Sequence, residues 1–300
     1  MKVLITGCNG FIARHLIKRL LREGYEVVGI DDYSNSAPDF DWESEFEFHK
    51  HDISKLNPGH HLFDGVECIF HLAAKARVQP SFLDPIKYHD TNVTGTLNLL
   101  EACRYWKINR FIFSSSSSVY GDNNPGFEGF NEGCDSVSPT SPYAFTKVQG
   151  EMLCQFYSDI YGIDTISLRY FNVYGDNQPS SGQYPQMLPN FLNLYKNKQP
   201  FIIYGDGNQR RDFTYVDDVV EANIKASKIE DIGGMIFNIG SGINYSVNEV
   251  CNLIDANHPR QYLEARLEPK IALAHNHLAE AILNWKPTMT VEQWIRNQKL

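Results

Sequence analysis

The feature that most constrains this chain is its first 31 residues. Lys2–Thr6 is a short apolar run. Gly7-Cys8-Asn9-Gly10 follows at once, then a stretch with apolar residues at 12, 13, 16, 17, 20 and 21. That spacing puts one buried stripe on a helix. Gly24 stops the helix, and Tyr25–Ile30 reads as a second strand ending at an acid, Asp31. A strand, a glycine turn and a helix leading to a second strand with an acid at its end is the pattern of a dinucleotide-binding βαβ unit. Gly7 permits the tight turn, and Gly10 lets backbone N–H groups approach a pyrophosphate at the positive end of the helix. Ala13 takes the position where a small residue lets helix and sheet pack closely.

The alternation continues. Phe46–Asp52, Cys68–Leu72, Arg110–Ser114 and Thr165–Tyr170 read as strands, with helical segments near 85–106 and from Ser141-Pro142 to about Tyr161. The predicted fold is α/β, a Rossmann-type doubly wound parallel sheet. Beyond Tyr170 the periodicity loosens among Pro179, Pro185, Pro189 and Pro200. The expected division is a cofactor domain over 1–170, with 214–239 returning to it, and a smaller substrate domain from 171–213 and 240–300.

Charge narrows the ligands. Lys and Arg against Asp and Glu give 27 − 36 = −9, which argues against nucleic acid. Residues 31–48 carry Asp31, Asp32, Asp39, Asp41, Glu43, Glu45 and Glu47 without a Lys or Arg, so a 2′-phosphate would be repelled. NAD is expected rather than NADP, with Asp31 on the ribose hydroxyls. The acids after 38 read as a solvated loop. Six scattered cysteines without a CxxC pair read as reduced packing residues. The lack of a signal-like leader or a long apolar run predicts a cytoplasmic protein without a membrane span. His49 and His51 would share a strand face, yet no third ligand at motif spacing supports a metal, so none is expected.

Tyr143 and Lys147 are four apart, on one face of the predicted helix. A nearby ammonium stabilises a phenolate, which would make Tyr143 a base. Ser114–Ser118 ends the strand before it.

Taken together, TGCNGFIARHL (6–16), Asp31, HLAA (71–74), Asn92, SSSSSVYGD (114–122), SPYAFTK (141–147), LRYFNVYG (168–175), GDGNQRRDFTYVDD (205–218) and NIGSG (238–242) resemble the extended short-chain dehydrogenases/reductases, in their nucleotide-sugar epimerase and dehydratase group. The resemblance implies Ser116, Tyr143 and Lys147 as catalytic residues. It implies NAD contacts from Gly7, Asn9, Gly10, Phe11, Ile12, Asp31, Leu72, Ala73, Ala74, Asn92, Tyr143, Lys147 and Tyr170, with Asp52 and Ile53 at the adenine. Ser116 would bind the sugar, and Asn172, Arg211 and Arg266 the nucleotide diphosphate. At Arg266 the usual arginine-proline-glycine-aspartate string is replaced by Arg266-Leu267-Glu268-Pro269. The resemblance also implies a homodimer formed by pairing the 85–106 segment and the helix from Tyr143, with Met152, Leu153, Phe156 and Tyr157 as apolar surface.

The resembling dehydratases follow the catalytic Ser/Thr with an Asp-Glu pair, and the decarboxylases place a glutamate second. Here those positions are Ser117 and Ser118. A serine hydroxyl is too weak an acid or base for either task. The expected reaction is therefore 4-epimerisation of a UDP-sugar. The 4,6-dehydratase, the UDP-glucuronate decarboxylase and a non-catalytic NAD-binding regulator are the alternatives.

Overall fold

A computed structural model describes residues 1–36, 38–122, 128–133, 137–180, 186–266 and 269–298. Cys134, Pro185, Leu267 and Glu268 lie outside the described residues.

The chain begins with strand β1 (Lys2–Thr6), helix α1 (Phe11–Arg22), strand β2 (Glu26–Asp31), the short helix α2 (Phe40–Glu43), strand β3 (Glu47–Lys50) and strand β4 (Cys68–His71). Helices α3 (Val78–Leu83) and α4 (Pro85–His89) lead through a π-helical turn, Asp90–Thr94, into α5 (Gly95–Trp106). Strand β5 (Arg110–Ser116), helix α6 (Pro142–Tyr161) and strand β6 (Asp164–Tyr170) follow. Next come β7 (Val173–Tyr174), α7 (Met187–Lys196), β8 (Phe201–Tyr204), β9 (Arg210–Asp212), β10 (Thr214–Tyr215) and α8 (Val216–Lys228). The chain closes with β11 (Ile236–Ile239), β12 (Asn244–Ser246), α9 (Val247–Asp255), β13 (Arg260–Leu263), α10 (His277–Leu283) and α11 (Val291–Asn297).

The main sheet has seven strands in the order β11-β6-β5-β4-β1-β2-β3. The pairs β1–β2, β1–β4, β2–β3 and β4–β5 are parallel. The order reverses at β1, and in such sheets ligands bind at the carboxyl ends of the strands beside that reversal. The glycine loop lies at that end.

The chain divides into two units. The first comprises Met1–Val119, Pro139–Arg169 and Val220–Phe237, the second Tyr120–Ser138, Tyr170–Val219 and Asn238–Leu300. Residues 120–138 and 214–219 thus fall in the second unit, where the sequence pattern placed them in the first. Their partners explain this: the Phe130 and His275 backbones bond each other, and the Thr214 N–H bonds to the Phe171 carbonyl. Within the first unit, Leu4, Ile30, Leu99, Phe111 and Phe113 are buried in one apolar cluster. In the second, Phe191, Phe201, Val250 and Trp294 belong to another. Cys8, Cys68, Cys103, Cys154 and Cys251 are buried free thiols, as their spacing predicted. Among the described residues no helix is long and apolar enough to cross a membrane.

Helix α6 carries the Tyr-x-x-x-Lys pair. Ser141 caps it by accepting the Ala144 N–H at 3.1 Å, Pro142 occupies its first turn, and Gly162 ends it in the left-handed conformation. Gly150 lets it lie close on the sheet: a Cβ there would fall 2.3 Å from the Phe113 ring. That close approach brings Lys147 onto β5.

Candidate active site

The glycine loop is held by the strand end. The Gly7 N–H donates to the Ile30 carbonyl at 2.7 Å, and the Gly10 N–H donates to the Gly7 carbonyl at 2.8 Å. Gly7 has φ +68°, and a Cβ there would lie 2.8 Å from the Ala73 Cα. Gly10 precedes α1 without a capping side chain, so the first-turn N–H groups have no side-chain acceptor. Asp31 accepts the Asn9 N–H at 3.1 Å and the Tyr33 N–H at 2.8 Å. A groove is lined by Gly7, Gly10, Asp31, Ile53, Leu72 and Ala73, among others. Ala74 lines it too. Uncapped helix N–H groups beside a glycine that admits no Cβ, with a preset carboxylate at the far end, fit a dinucleotide's pyrophosphate and ribose.

Several sequence-level expectations change in detail. Glu43 is not a solvated-loop acid but 7% exposed. It accepts the Asn9 Nδ2 at 2.8 Å, the Tyr33 hydroxyl at 2.8 Å and the Asp39 N–H at 3.1 Å. Burial pushes its carboxyl up, but those bonds outweigh it and hold the carboxyl below its usual range. Asn9 therefore ties the loop to α2. Cations also reach this region from outside 31–48. Arg14 pairs with Asp39 at 2.7 Å, and the Lys50 ammonium lies 5.2 Å from the Tyr33 ring centroid.

Asp52 turns its carboxylate to Ser54, capping a short 3-10 turn, while Ile53 lines the groove. Asn92 is buried, and its amide is engaged by protein. Its Oδ1 accepts the Lys75 N–H at 2.8 Å, and its Nδ2 donates to the Lys75 carbonyl at 3.1 Å and to Thr146 at 2.9 Å. It pins the loop after β4 to α6. Phe11 and Ile12 open α1 beside the loop. Thr91 and His51, which the sequence did not single out, line the groove.

Beneath the loop runs a closed hydrogen-bond chain. The Ala73 N–H donates to Thr6 Oγ1 at 3.0 Å, and Thr6 Oγ1 lies 2.8 Å from His71 Nδ1. His71 Nε2 lies 2.9 Å from Thr96 Oγ1, which donates to the Asn92 carbonyl at 2.6 Å. Burial lowers His71 to about 3.

Tyr143 is 8% exposed. Its ring meets Tyr88 edge-on, with centroids 6.4 Å apart. Burial raises its phenol above the usual range; a hydrogen bond with Ser116 and the Arg77 charge pull the other way. Ser116 Oγ accepts both the Ser118 N–H at 3.2 Å and the Ser118 hydroxyl at 2.9 Å. Its own proton is then left for the phenol oxygen. Lys147 is buried. Its ammonium donates to the Ser114 carbonyl at 2.6 Å and lies 5.0 Å from the Phe113 ring centroid. Burial lowers it to about 8. The charges acting on Tyr143 include that of Arg77, which the sequence did not single out. One helical turn further along, Glu151 accepts the Ser115 hydroxyl at 2.5 Å and holds Arg169 bidentately at 2.8 and 2.7 Å.

In the second unit, Asn172 has φ +26° and donates from Nδ2 to the Asp212 carbonyl at 2.7 Å. Arg211 lies on β9, with one guanidinium nitrogen on the Arg210 carbonyl at 2.9 Å. Arg210 is turned to Asn244 and Glu249. The exposed Arg266 stacks on the Tyr204 ring, 3.3 Å from its centroid. Tyr170 is buried at the end of β6. Among the described residues no group of three His, Cys, Asp or Glu side chains could hold a metal ion.

A glycine-loop dinucleotide groove, with Ser116 at the end of β5 hydrogen-bonded to the buried Tyr143 of α6, defines an NAD-dependent enzyme of the short-chain dehydrogenase type. More specifically, the chain matches the model of the NAD dependent epimerase/dehydratase family over residues 3–240 and belongs to that family. It is 33% identical to the UDP-glucuronate 4-epimerase of Thermodesulfobacterium geofontis, covering 98% of this chain and 93% of that protein. Among solved structures it resembles the UDP-glucose 4-epimerase of Thermotoga maritima with UDP-glucose, at TM-score 0.90 and 31% identity over 99% of this chain and 96% of the other. It also resembles the UDP-glucuronic acid 4-epimerase of Bacillus cereus in complex with UDP-glucuronic acid and NAD, at TM-score 0.89 and 32% identity over 99% and 97%.

Proposed function

We propose that this protein is an NAD-dependent UDP-sugar 4-epimerase in which Tyr143 exchanges the proton of the sugar C4 hydroxyl. The observation that carries the reading is the buried phenol of Tyr143 hydrogen-bonded to Ser116, with Ser117 and Ser118 where the resembling dehydratases and decarboxylases carry acids. NAD held in the groove of Gly7, Gly10 and Asp31 would supply the acceptor and donor of the C4 hydride. Ser116 orients the hydroxyl. Tyr143 takes its proton, leaving a 4-keto sugar, and returns that proton when the ketone is reduced on the opposite face. Proton transfer in both directions needs one base and no further acid. The ordinary phenol range lies well above neutral, and burial raises Tyr143 further. Ionisation therefore depends on added positive charge in the loaded site.

Asp31 would bind the adenosine ribose and Ile53 the adenine. Lys147, held by the Ser114 carbonyl, would bind the nicotinamide ribose. Asn172, Arg211 and Arg266 would take the diphosphate, two planar guanidinium donors suiting its oxygens.

A homodimer through α5 and α6 is part of the reading. Phe145, Met152, Phe156 and Ile160 are 53%, 66%, 50% and 61% exposed along α6, an apolar stripe on a helix otherwise packed on the sheet. Tyr157 is buried within its own chain and does not contribute to that stripe.

Proton NMR of the product tests the chemistry. UDP-glucose and UDP-glucuronate incubated with the NAD-loaded enzyme should give an inverted coupling pattern at C4 with every carbon retained. A 4-keto-6-deoxy product or a lost C6 would overturn the reading. Tyr143→Phe should remove nearly all turnover while NAD still binds.

A further inference from the structure

Asp31 and Glu43 are two carboxylates bridged twice. Asn9 donates its backbone N–H to Asp31 Oδ2 at 3.1 Å and its Nδ2 to Glu43 Oε1 at 2.8 Å. Tyr33 donates its backbone N–H to Asp31 Oδ1 at 2.8 Å and its hydroxyl to Glu43 Oε2 at 2.8 Å. The four residues close a ring, and both oxygens of each carboxylate are held in it. Asp31 lines the cofactor groove, whereas the buried Glu43 is not among the described residues that line it. Glu43 reaches the acid of the groove through Asn9 and Tyr33.

The ring is held under strain. Tyr33 has φ +60°, a left-handed backbone that side-chain-bearing residues rarely adopt. In that conformation its N–H meets Asp31 while its phenol returns to Glu43. Strain of this kind persists where the surroundings fix it, and it gathers at ligand sites. Arg14 braces the ring from outside. Its Nε donates to the Asn9 carbonyl at 3.2 Å and its Nη1 to Asp39 at 2.7 Å, and the Asp39 N–H donates to Glu43 at 3.1 Å. On Asp31 itself the donors are neutral: two backbone N–H groups and the Ser36 hydroxyl at 3.2 Å. They fix the carboxylate without cancelling its charge.

We propose that Glu43 is a positioning residue that sets cofactor specificity, locking the Asp31 carboxylate through Asn9 and Tyr33 so that it accepts ribose hydroxyls and repels a 2′-phosphate. The inference rests on the reading that Asp31 binds the adenosine ribose. A carboxylate already ordered pays little to accept the hydroxyls of NAD. NADP would set a phosphate against it, and the like charges repel. A loose carboxylate would turn away from that phosphate. This one turns only by breaking the Asn9 and Tyr33 bonds.

Calorimetry of NAD and of NADP with the NAD-free protein tests the lock. Glu43→Met keeps the length of the side chain without its acceptors. It should weaken NAD about 10-fold, the scale of one hydrogen bond to a charged group. NADP should weaken by less than about twofold or bind more tightly, so the preference for NAD narrows at least about fivefold. Glu43→Gln, which keeps an acceptor, should recover part of it. Tyr33→Phe and Asn9→Ala each open one side of the ring without removing a charge, and each should narrow the preference in the same direction. In an Asp31→Ala background Glu43→Met should move it by less than about twofold, because the residue it acts through is gone. Glu45→Gln removes an exposed acid two residues from Glu43 and should leave the preference unchanged. Equal weakening of NAD and NADP by Glu43→Met makes the ring structural only and overturns the inference. An equal narrowing by Glu45→Gln, or a full effect of Glu43→Met without Asp31, also overturns it. If Glu43→Met does not fold, an unchanged preference in both Tyr33→Phe and Asn9→Ala overturns it. If Asp31→Ala binds NAD as tightly as the unmodified protein, the ribose reading falls first, and the inference with it.

Discussion

Acid should destabilise this protein through His71. The chain Ala73 N–H, Thr6, His71, Thr96 and the Asn92 carbonyl is satisfied with a neutral ring carrying its proton on Nε2. A second proton on Nδ1 would force the Thr6 hydroxyl to accept from both His71 and Ala73, leaving its own hydrogen buried and unpaired. Phe111 and Phe113, with ring centroids 5.7 Å away, exclude water from the ring. The imidazole accordingly titrates at about 3, lowered by burial and by the Lys147 charge. In the unfolded chain it titrates at about 6.5. Between these values the unfolded state binds a proton that the folded state does not, so stability is full above about 6.5 and falls as pH drops towards 3. At about 1.4 kcal/mol per pH unit, the loss between pH 7 and pH 5 is about 2 kcal/mol. Urea unfolding of the NAD-free protein at pH 7, 6 and 5, beside His71→Gln, measures it. The unmodified protein should lose about 2 kcal/mol more than the variant over that range. Equal pH slopes for the two, or an NMR titration placing His71 near its ordinary value, would refute the reasoning.

Asp31→Ala should weaken NAD binding by about 1.5–3 kcal/mol for each ribose bond lost, read by calorimetry. Gly7→Ala forces a Cβ to within 2.8 Å of the Ala73 Cα at φ +68°. The left-handed backbone alone costs about 1–2 kcal/mol, and a lower melting temperature together with lost NAD affinity is expected. Met152→Glu with Phe156→Glu should leave a species of one 34.3 kDa chain in light scattering, and the unmodified protein should run at twice that mass. If the unmodified protein is already monomeric, the dimer is refuted.

The sheet was legible because its signal is local. Buried parallel strands are short apolar runs, and each is followed by a helix whose stripe has its own period. Helix α6 could be bounded within a residue, since Ser141, Pro142 and Gly162 mark its ends. The second unit was harder to delimit. Its segments join through backbone pairs far apart in sequence, such as Phe130 with Ala274 and Arg210 with Ile271, and no periodicity encodes those. Glu43 was misjudged for the same reason. One carboxylate among seven in the 31–48 stretch is buried, and no local pattern announces its donor Asn9, 34 residues away.

The site shows where spacing stops being informative. A spacing of four from Tyr143 to Lys147 places both on one face of a helix but does not say what the ammonium meets. It meets the Ser114 carbonyl, because Gly150 lets α6 approach β5 closely. The Arg77 charge also acts on the phenol. The spacing marks the pair but does not say which cation acts on the phenol. This changes what Lys147→Met should do. If the ammonium mainly bonds the strand and a ribose, its loss should weaken NAD binding more than it moves the pH-rate profile. Arg77→Gln should instead shift the profile to higher pH, because a favourable charge beside the phenolate has gone. A profile moved by Lys147→Met and untouched by Arg77→Gln would restore the simpler reading of the pair.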